Sequence, residues 1–360
     1  MSTILFFLPF ILAYTVIAVY AERKVSAFIQ DRYGPMETGS YGILQTVADL
    51  IKLLQKEDIV PAKSDKPLFL VAPFVLFAVV FTGFSVLPLT PTWSGAAMHT
   101  GVFLLLAIVS LDVLGIILAG WGSNNKYSLV GAMRSAAQII AYEVPLTLSV
   151  LCVLVITQTL DLQQISYMQG TLSGQESFLF GIRSWGIRVD EIGGILMWNI
   201  LQAPVLLPVW VIFFITTLAE SNRAPFDLPE AESELVAGFQ TEYSGFRWSV
   251  IMLSEYGMML LVSILGTILF FGSWNTPLPN IGFVALADWT TGTPGSWTLE
   301  VWAIFWLLTK SLFFVLIQMW VRWTYPRVRM DQLLVLGWKY LTPMILFLLF
   351  VCGLYRLLMV

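Results

Sequence analysis

Seven carboxylates crowd residues 220–255: Glu220, Asp227, Glu230, Glu232, Glu234, Glu242 and Glu255, with only Arg223 and Arg247 among them to balance the charge. The stretch joins two runs that read as membrane spans. A carboxylate near hydrocarbon costs about 2.5–3.5 kcal/mol on insertion scales, so acids at membrane depth usually have a task. Carboxylates without a metal-ligand pattern point to the movement of protons. Crowding makes the proton affinity of one group depend on the charge of the next. A structural reading competes with this. Asp227 with Glu230 reads as a helix N-cap with an acid at N3, Pro229 fits the first turn, and such acids complement the helix dipole. In that helix Glu230 and Glu234 share a face at i, i+4. The structural reading accounts for Asp227 and Glu230, explains Glu234 poorly, and leaves Glu220 and Glu255 without a reason.

Two more clusters carry ionisable groups. In GWGSNNKYSLVGAMRSAAQIIAYEVP (residues 120–145), Arg134 and Glu143 lie on an otherwise apolar helix, with Ser123, Asn124 and Asn125 as turn and cap residues. Glu143 is about 13 Å deeper than Arg134, so the two make no direct pair. Pro145 removes a backbone donor and can kink the helix there. A buried acid bonded to a freed carbonyl is the bland alternative; the functional reading stands ahead of it, because ionisable side chains at that depth are rarely kept for packing. In AERKVSAFIQDRYGP (residues 21–35), the basic residues read as an interfacial anchor, with Glu22 paired to a basic neighbour and Gly34-Pro35 a turn. Arg322, Arg327 and Arg329 around Pro326 read as a second basic anchor. Asp112 and Lys310 lie within spans and take no role, and His99 reads as a surface residue.

The elements that position these groups follow from composition. The chain is 58% hydrophobic and 12% charged, about half the charge of a soluble domain. The expected fold is all-α: a polytopic membrane protein of about eight transmembrane helices plus an interfacial amphipathic helix, in one domain over residues 1–360. Apolar runs of spanning length cover about 3–20, 68–90, 100–120, 134–157, 194–219, 247–272, 301–322 and 340–358. The first reads as a retained span rather than a cleaved signal, since it lacks a basic leading region. In residues 41–57, Ile43, Leu44, Val47, Leu50, Ile51 and Leu54 recur at helical spacing, too short to span and too one-sided to be buried all round. Fifteen of the nineteen Lys and Arg fall on one side of the eight spans. The excess marks that side as cytoplasmic, or as the matrix or stroma side in an organelle, and both termini are then expected on the other side, the periplasmic one in a bacterium. Residues 158–193 and 273–300, rich in Gly, Ser, Thr and Gln, are expected to be solvated loops. No basic block suggests nucleic acid. Cys152 and Cys352 lack a CxxC partner and His99 is the lone histidine, so no metal, iron–sulfur or haem site is expected in this chain.

Taken together, AERK with QDRYGP, the amphipathic GILQTVADLIKLLQKE, GWGSNNKYSLVGAMRSAAQ with YEVP, AESNRAPFDLPEAESELVAGFQTEYSG and RWTYPRVRMDQLL (residues 322–334) resemble one family over nearly the whole chain. It is that of the H subunit of bacterial NADH–quinone oxidoreductase, called subunit 1 in mitochondrial complex I. The resemblance implies a proton-pumping complex in which this chain lines the quinone-reduction chamber and begins an acidic proton-coupling path. It implies that Arg23, Arg32, Asp49, Lys52, Arg223 and Phe226 lie along the quinone passage, and that Glu143, Glu220, Asp227, Glu230, Glu234 and Glu255 form the start of the proton path. The implied substrate is a quinone, ubiquinone or menaquinone, with no metal or flavin bound by this chain. The implied partners are peripheral-arm iron–sulfur and quinone-site subunits, antiporter-like membrane subunits and the lipid bilayer. The implied location is a bacterial inner membrane, an organellar inner membrane being the alternative. Met36 and Tyr33 depart from the common pattern without touching these assignments.

Two other readings are kept. One is the equivalent subunit of a membrane-bound hydrogenase or related ferredoxin-linked complex, against which the intact AERK and QDRYGP segments weigh. The other is an ion-coupled secondary transporter, for which the internal repeat typical of that class is not found.

Overall fold

In hydrocarbon every backbone N–H and C=O must be satisfied within the chain, so the apolar runs have helix as their economical conformation. The computed structural model describes residues 2–95, 98–173, 178–182, 188–190, 192–228, 232–280, 285–293 and 295–359, and the described chain is helical with only two isolated bridges. In chain order the helices are α1 (Ser2–Ile29), α2 (Gln45–Gln55), α3 (Lys66–Val86), α4 (Gly101–Val109), α5 (Asp112–Gly122), α6 (Lys126–Thr157) and α7 (Leu162–Met168). They continue with α8 (Asn199–Gln202), α9 (Leu206–Glu220), α10 (Glu232–Leu235), α11 (Gly245–Phe270), α12 (Leu286–Thr291), α13 (Trp297–Thr324), α14 (Met330–Val335) and α15 (Thr342–Met359).

Among the described residues six helical stretches are long and apolar enough to cross a membrane: Lys66–Val86, Gly101–Gly122, Lys126–Thr157, Gly245–Phe270, Trp297–Thr324 and Met330–Leu358. This is an all-α, multi-pass membrane protein. The first and fifth expected spans fall on α1, 28 residues long, and on the shorter α9, 15 residues long. The third span is not continuous: α4 and α5 meet at Ser110 and Leu111. Pro145 does not break α6, which runs unbroken from Lys126 to Thr157.

The helices end where local chemistry satisfies them. Asn125 caps α6 by accepting from the Tyr127 amide at 2.9 Å, and Gln158 closes it in the left-handed region. The Asn125 amide also donates to Glu242 at 2.6 Å, tying that cap to the acidic segment. α11 is apolar on nearly every face and is almost wholly buried, as a helix at the centre of a bundle should be. It packs against α3, α9, α13 and α1, while α15 packs on α6 and otherwise looks outward. Gly131 of α6 lies so close to Gly238 that a Cβ there would come within 2.7 Å of backbone. That close approach sets the 238–240 turn against the helix.

α2 forms where the amphipathic pattern predicts, with Ile43, Leu44, Val47, Leu50, Ile51 and Leu54 all exposed. The expectation of solvated loops opposite the basic side is corrected for residues 158–173 and 273–276. α7 buries Leu162, Ile165 and Ser166. Buried Gln169 donates to the Ile268 carbonyl at 2.7 Å and accepts from the Gly272 amide, while Asn199 donates to the Leu269 carbonyl at 2.8 Å. Lys310 donates to the Phe271 and Asn275 carbonyls, each at 2.8 Å. Polar side chains of these and neighbouring segments therefore serve the carbonyls at the end of α11, which have no helical partner.

Candidate functional site

The site is built where the basic end of α1 meets the segment after α9. Glu22, 5% exposed, accepts from Arg322 of α13, from Arg223 at 3.4 Å and from the Tyr256 hydroxyl at 2.6 Å. The Arg223 guanidinium stands 4.3 Å from the centre of the Tyr256 ring. This corrects two expectations. Glu22 pairs with arginines remote in sequence, not with Arg23 or Lys24, and Arg322 is a buried-site partner rather than an interfacial anchor. Arg327, itself exposed, likewise donates to the buried Asp227 at 3.1 Å. The reason is common to both: a buried carboxylate needs a cation and hydrogen bonds to be tolerated, and the nearest cations in space lie on other helices.

The six residues expected along a quinone passage divide into two sets. Arg23 pairs with Asp49 of α2 at 2.5 Å, and Gln45 holds the other Asp49 oxygen at 3.0 Å, which orients α2 against α1. Arg32 and Lys52 are exposed on the same face region, with Arg32 donating to Gln30. Arg223 and Phe226 are buried deeper, and Phe226 packs on Tyr142 with ring centres 5.3 Å apart.

The acids also divide. Glu220, the last residue of α9, is 1% exposed, and neither of its oxygens hydrogen-bonds to a described residue. It lines a cavity of about 20 Å³, room for a water molecule or two. Asp112, Ser221, Asn222, Ser254 and Glu255 are the other polar residues of that wall. Glu255 of α11 accepts from the Gln240 side-chain amide, and Glu143 of α6 accepts from the Ser110 hydroxyl. Asp227 is buried against Arg327. Glu234 stands apart from these: its side chain is 59% exposed and pairs with Arg134 at 2.5 Å. Glu230 lies outside the described residues. The expected helix over the acidic segment is described as the single turn α10, starting at Glu232. His99 is fully exposed, with Nδ1 3.6 Å from Asp161, as expected of a surface residue.

Sequence reasoning set aside Asp112, Arg322 and Arg327 as groups of this site. Asp112 announced itself as an acid inside an apolar run; the two arginines carried no signal that separates them from an interfacial anchor.

A bundle of long apolar helices with a buried glutamate–arginine cluster at its basic end defines a polytopic membrane protein. A family model described as NADH dehydrogenase matches residues 1–353. The chain is 57% identical over 357 residues to the second H subunit of NADH-quinone oxidoreductase of Cytophaga hutchinsonii, covering 98% of each chain. It is 52% identical over 326 residues to the H subunit of NADH-quinone oxidoreductase of Chlorobium luteolum, covering 90% of this chain and 80% of the relative. Against the corresponding H subunit of a Geobacillus species it is 42% identical over 345 residues. The chain belongs to the NADH dehydrogenase family of membrane subunits, that of the H subunit of NADH–quinone oxidoreductase, and is a component of that enzyme complex. These matches favour the first of the three sequence readings over the hydrogenase and transporter alternatives.

Proposed function

We propose that this chain forms the membrane wall of the quinone-reduction chamber of its complex and the first part of the acidic path that couples reduction to proton movement. The observation that carries the reading is Glu220: a carboxyl group withdrawn from solvent, without a hydrogen bond from a described residue, beside a water-sized cavity shared with Glu255. Such a group is expensive to keep unless it exchanges a proton. The quinone, ubiquinone or menaquinone, enters as substrate between the end of α1 and α2. Arg23, Arg32, Asp49 and Lys52 line its approach, and Arg223 and Phe226 stand further in. The Phe226–Tyr142 pair offers an aromatic wall and the Glu22–Arg223–Arg322 cluster a charged one, which suits an apolar ring with polar oxygens.

Reduction of a quinone takes up protons and develops negative charge on its head group. At about 10 Å and an effective dielectric of about 20, a unit charge acts on a carboxylate with about 1.7 kcal/mol, enough to change its proton occupancy more than tenfold. Glu220 and Glu255 would respond first, Glu143 next, with Asp227, Glu230 and Glu234 along the same segment. Peripheral-arm iron–sulfur and quinone-site subunits deliver the electrons, and antiporter-like subunits receive the coupled charge movement. The membrane is a bacterial inner membrane with both termini periplasmic, in keeping with the bacterial relatives and the one-sided basic residues.

Glu143→Gln tests the reading away from the cluster centre. The amide keeps a contact with Ser110, so the complex should assemble at wild-type level, while coupled quinone reductase activity falls about tenfold or more. Full activity and full proton pumping in the assembled variant would remove Glu143 from the path.

A further inference from the structure

The joint of the third span places a carboxylate where the acidic group has a gap. α4 ends at Val109 and α5 begins at Asp112, so Ser110 and Leu111 interrupt a helix that is otherwise apolar throughout. The Ser110 hydroxyl lies within hydrogen-bond reach of both the Leu106 carbonyl and Glu143. Two residues on, Asp112 is 8% exposed. It lines the same cavity as Glu220 and Glu255. One joint thus touches Glu143 through Ser110 and the Glu220–Glu255 cavity through Asp112.

The two serine hydroxyls around that cavity are committed elsewhere. The Ser221 hydroxyl donates to the Thr217 and Leu218 carbonyls, and the Ser254 hydroxyl donates to the Val250 carbonyl. The Asn222 side-chain oxygen accepts from Ser135 and Gln138. No Lys or Arg is among the lining residues. Glu220, with both oxygens buried and bonded to no described residue, points into this space, and is an observation independent of the clustering of acids. Three carboxyl groups around a water-sized space without a cation relieve their mutual repulsion by sharing protons and water. A helix break at membrane depth is tolerated where it is enclosed by protein or lines a hydrated cavity, which is its situation here.

We propose that Asp112 is a further proton-holding group of this chain, exchanging protons with Glu220 and Glu255 through water in the shared cavity, two residues from the Ser110 contact to Glu143. The proposal rests on the proton-path reading above. The step is a simple transfer: a proton leaves one carboxyl oxygen for water, and water passes a proton to the next, with no change of redox state.

The test uses the assembled complex carrying Asp112→Asn, Asp112→Glu or Glu220→Gln, measured for quinone reductase rate, proton pumping and the carboxyl C=O region of the redox-difference infrared spectrum. Asp112→Asn should assemble, lose about tenfold or more in coupled rate and lose one protonated-carboxyl band. Asp112→Glu should recover most of the rate and show that band displaced. A wild-type rate with an unchanged difference spectrum in Asp112→Asn overturns the proposal. If Asp112→Asn does not assemble, Asp112→Glu decides: a displaced band upholds the proposal, and an unchanged spectrum overturns it. Glu220→Gln separates the two levels. Impairment there with none at Asp112 defeats the role of Asp112 alone, whereas full activity in Glu220→Gln defeats the path on which it rests.

Discussion

Glu22→Gln is expected to destabilise the folded protein by about 3–5 kcal/mol, the range for breaking a buried ion pair by removing one partner. The loss should appear as a sharp drop in assembled complex and a lower unfolding midpoint in detergent. Glu22 is the anion that Arg223 and Arg322 share, and its side chain and that of Arg223 are only 7% and 6% exposed. Without it, two guanidinium groups lose the carboxylate they share, while Arg223 keeps its cation–π contact with the Tyr256 ring. A cation–π contact supplies about 0.5–2 kcal/mol, less than the charge loses. Arg322→Gln should cost less, because Glu22 keeps Arg223 and the Tyr256 hydroxyl, and because the Arg322 side chain is 24% exposed. If Arg322→Gln proved the more damaging of the two, the cluster would not be organised around Glu22.

The second expected result is the opposite kind of phenotype. Glu220→Gln should leave assembly intact and lower coupled quinone reduction by about a hundredfold, within the range for losing a positioned proton-transfer group. The shape of the side chain is preserved, and a group with no described hydrogen-bond partner has no such contact to lose. Rate and pumping in reconstituted vesicles measure it. A fast, fully coupled Glu220→Gln complex would show that this carboxyl is buried for another reason. Glu22 and Glu220 are both almost fully buried glutamates, and they are expected to differ because one is ringed by cations and the other by acids.

Local pattern explains which parts of this architecture could be read from sequence. Apolar length marks six spans clearly, and helical spacing marks α2, because both properties belong to contiguous residues. The break at Ser110 and Leu111 escaped, since it contains no Gly or Pro to announce it. The polar segment around Gln169 and Asn275 read as solvated because composition does not distinguish an amide that meets water from one that meets the carbonyls closing α11. At the site, the acids were visible as improbable residues. Their partners were not: Glu22 reaches Arg322 across 300 positions of sequence and Arg223 across 201, and no periodicity extends that far. For the same reason Asp112 looked like an isolated oddity until the fold brought α5 beside the end of α9.

The most direct test of the central claim is photolabelling of the assembled complex in its native membrane with a short-chain quinone analogue, followed by mapping of the modified peptides. The account predicts label on residues 21–57 and 219–245 of this chain, lost when excess quinone competes. Competable label confined to other chains of the complex, with none on these two segments, would contradict the claim that this chain walls the quinone chamber.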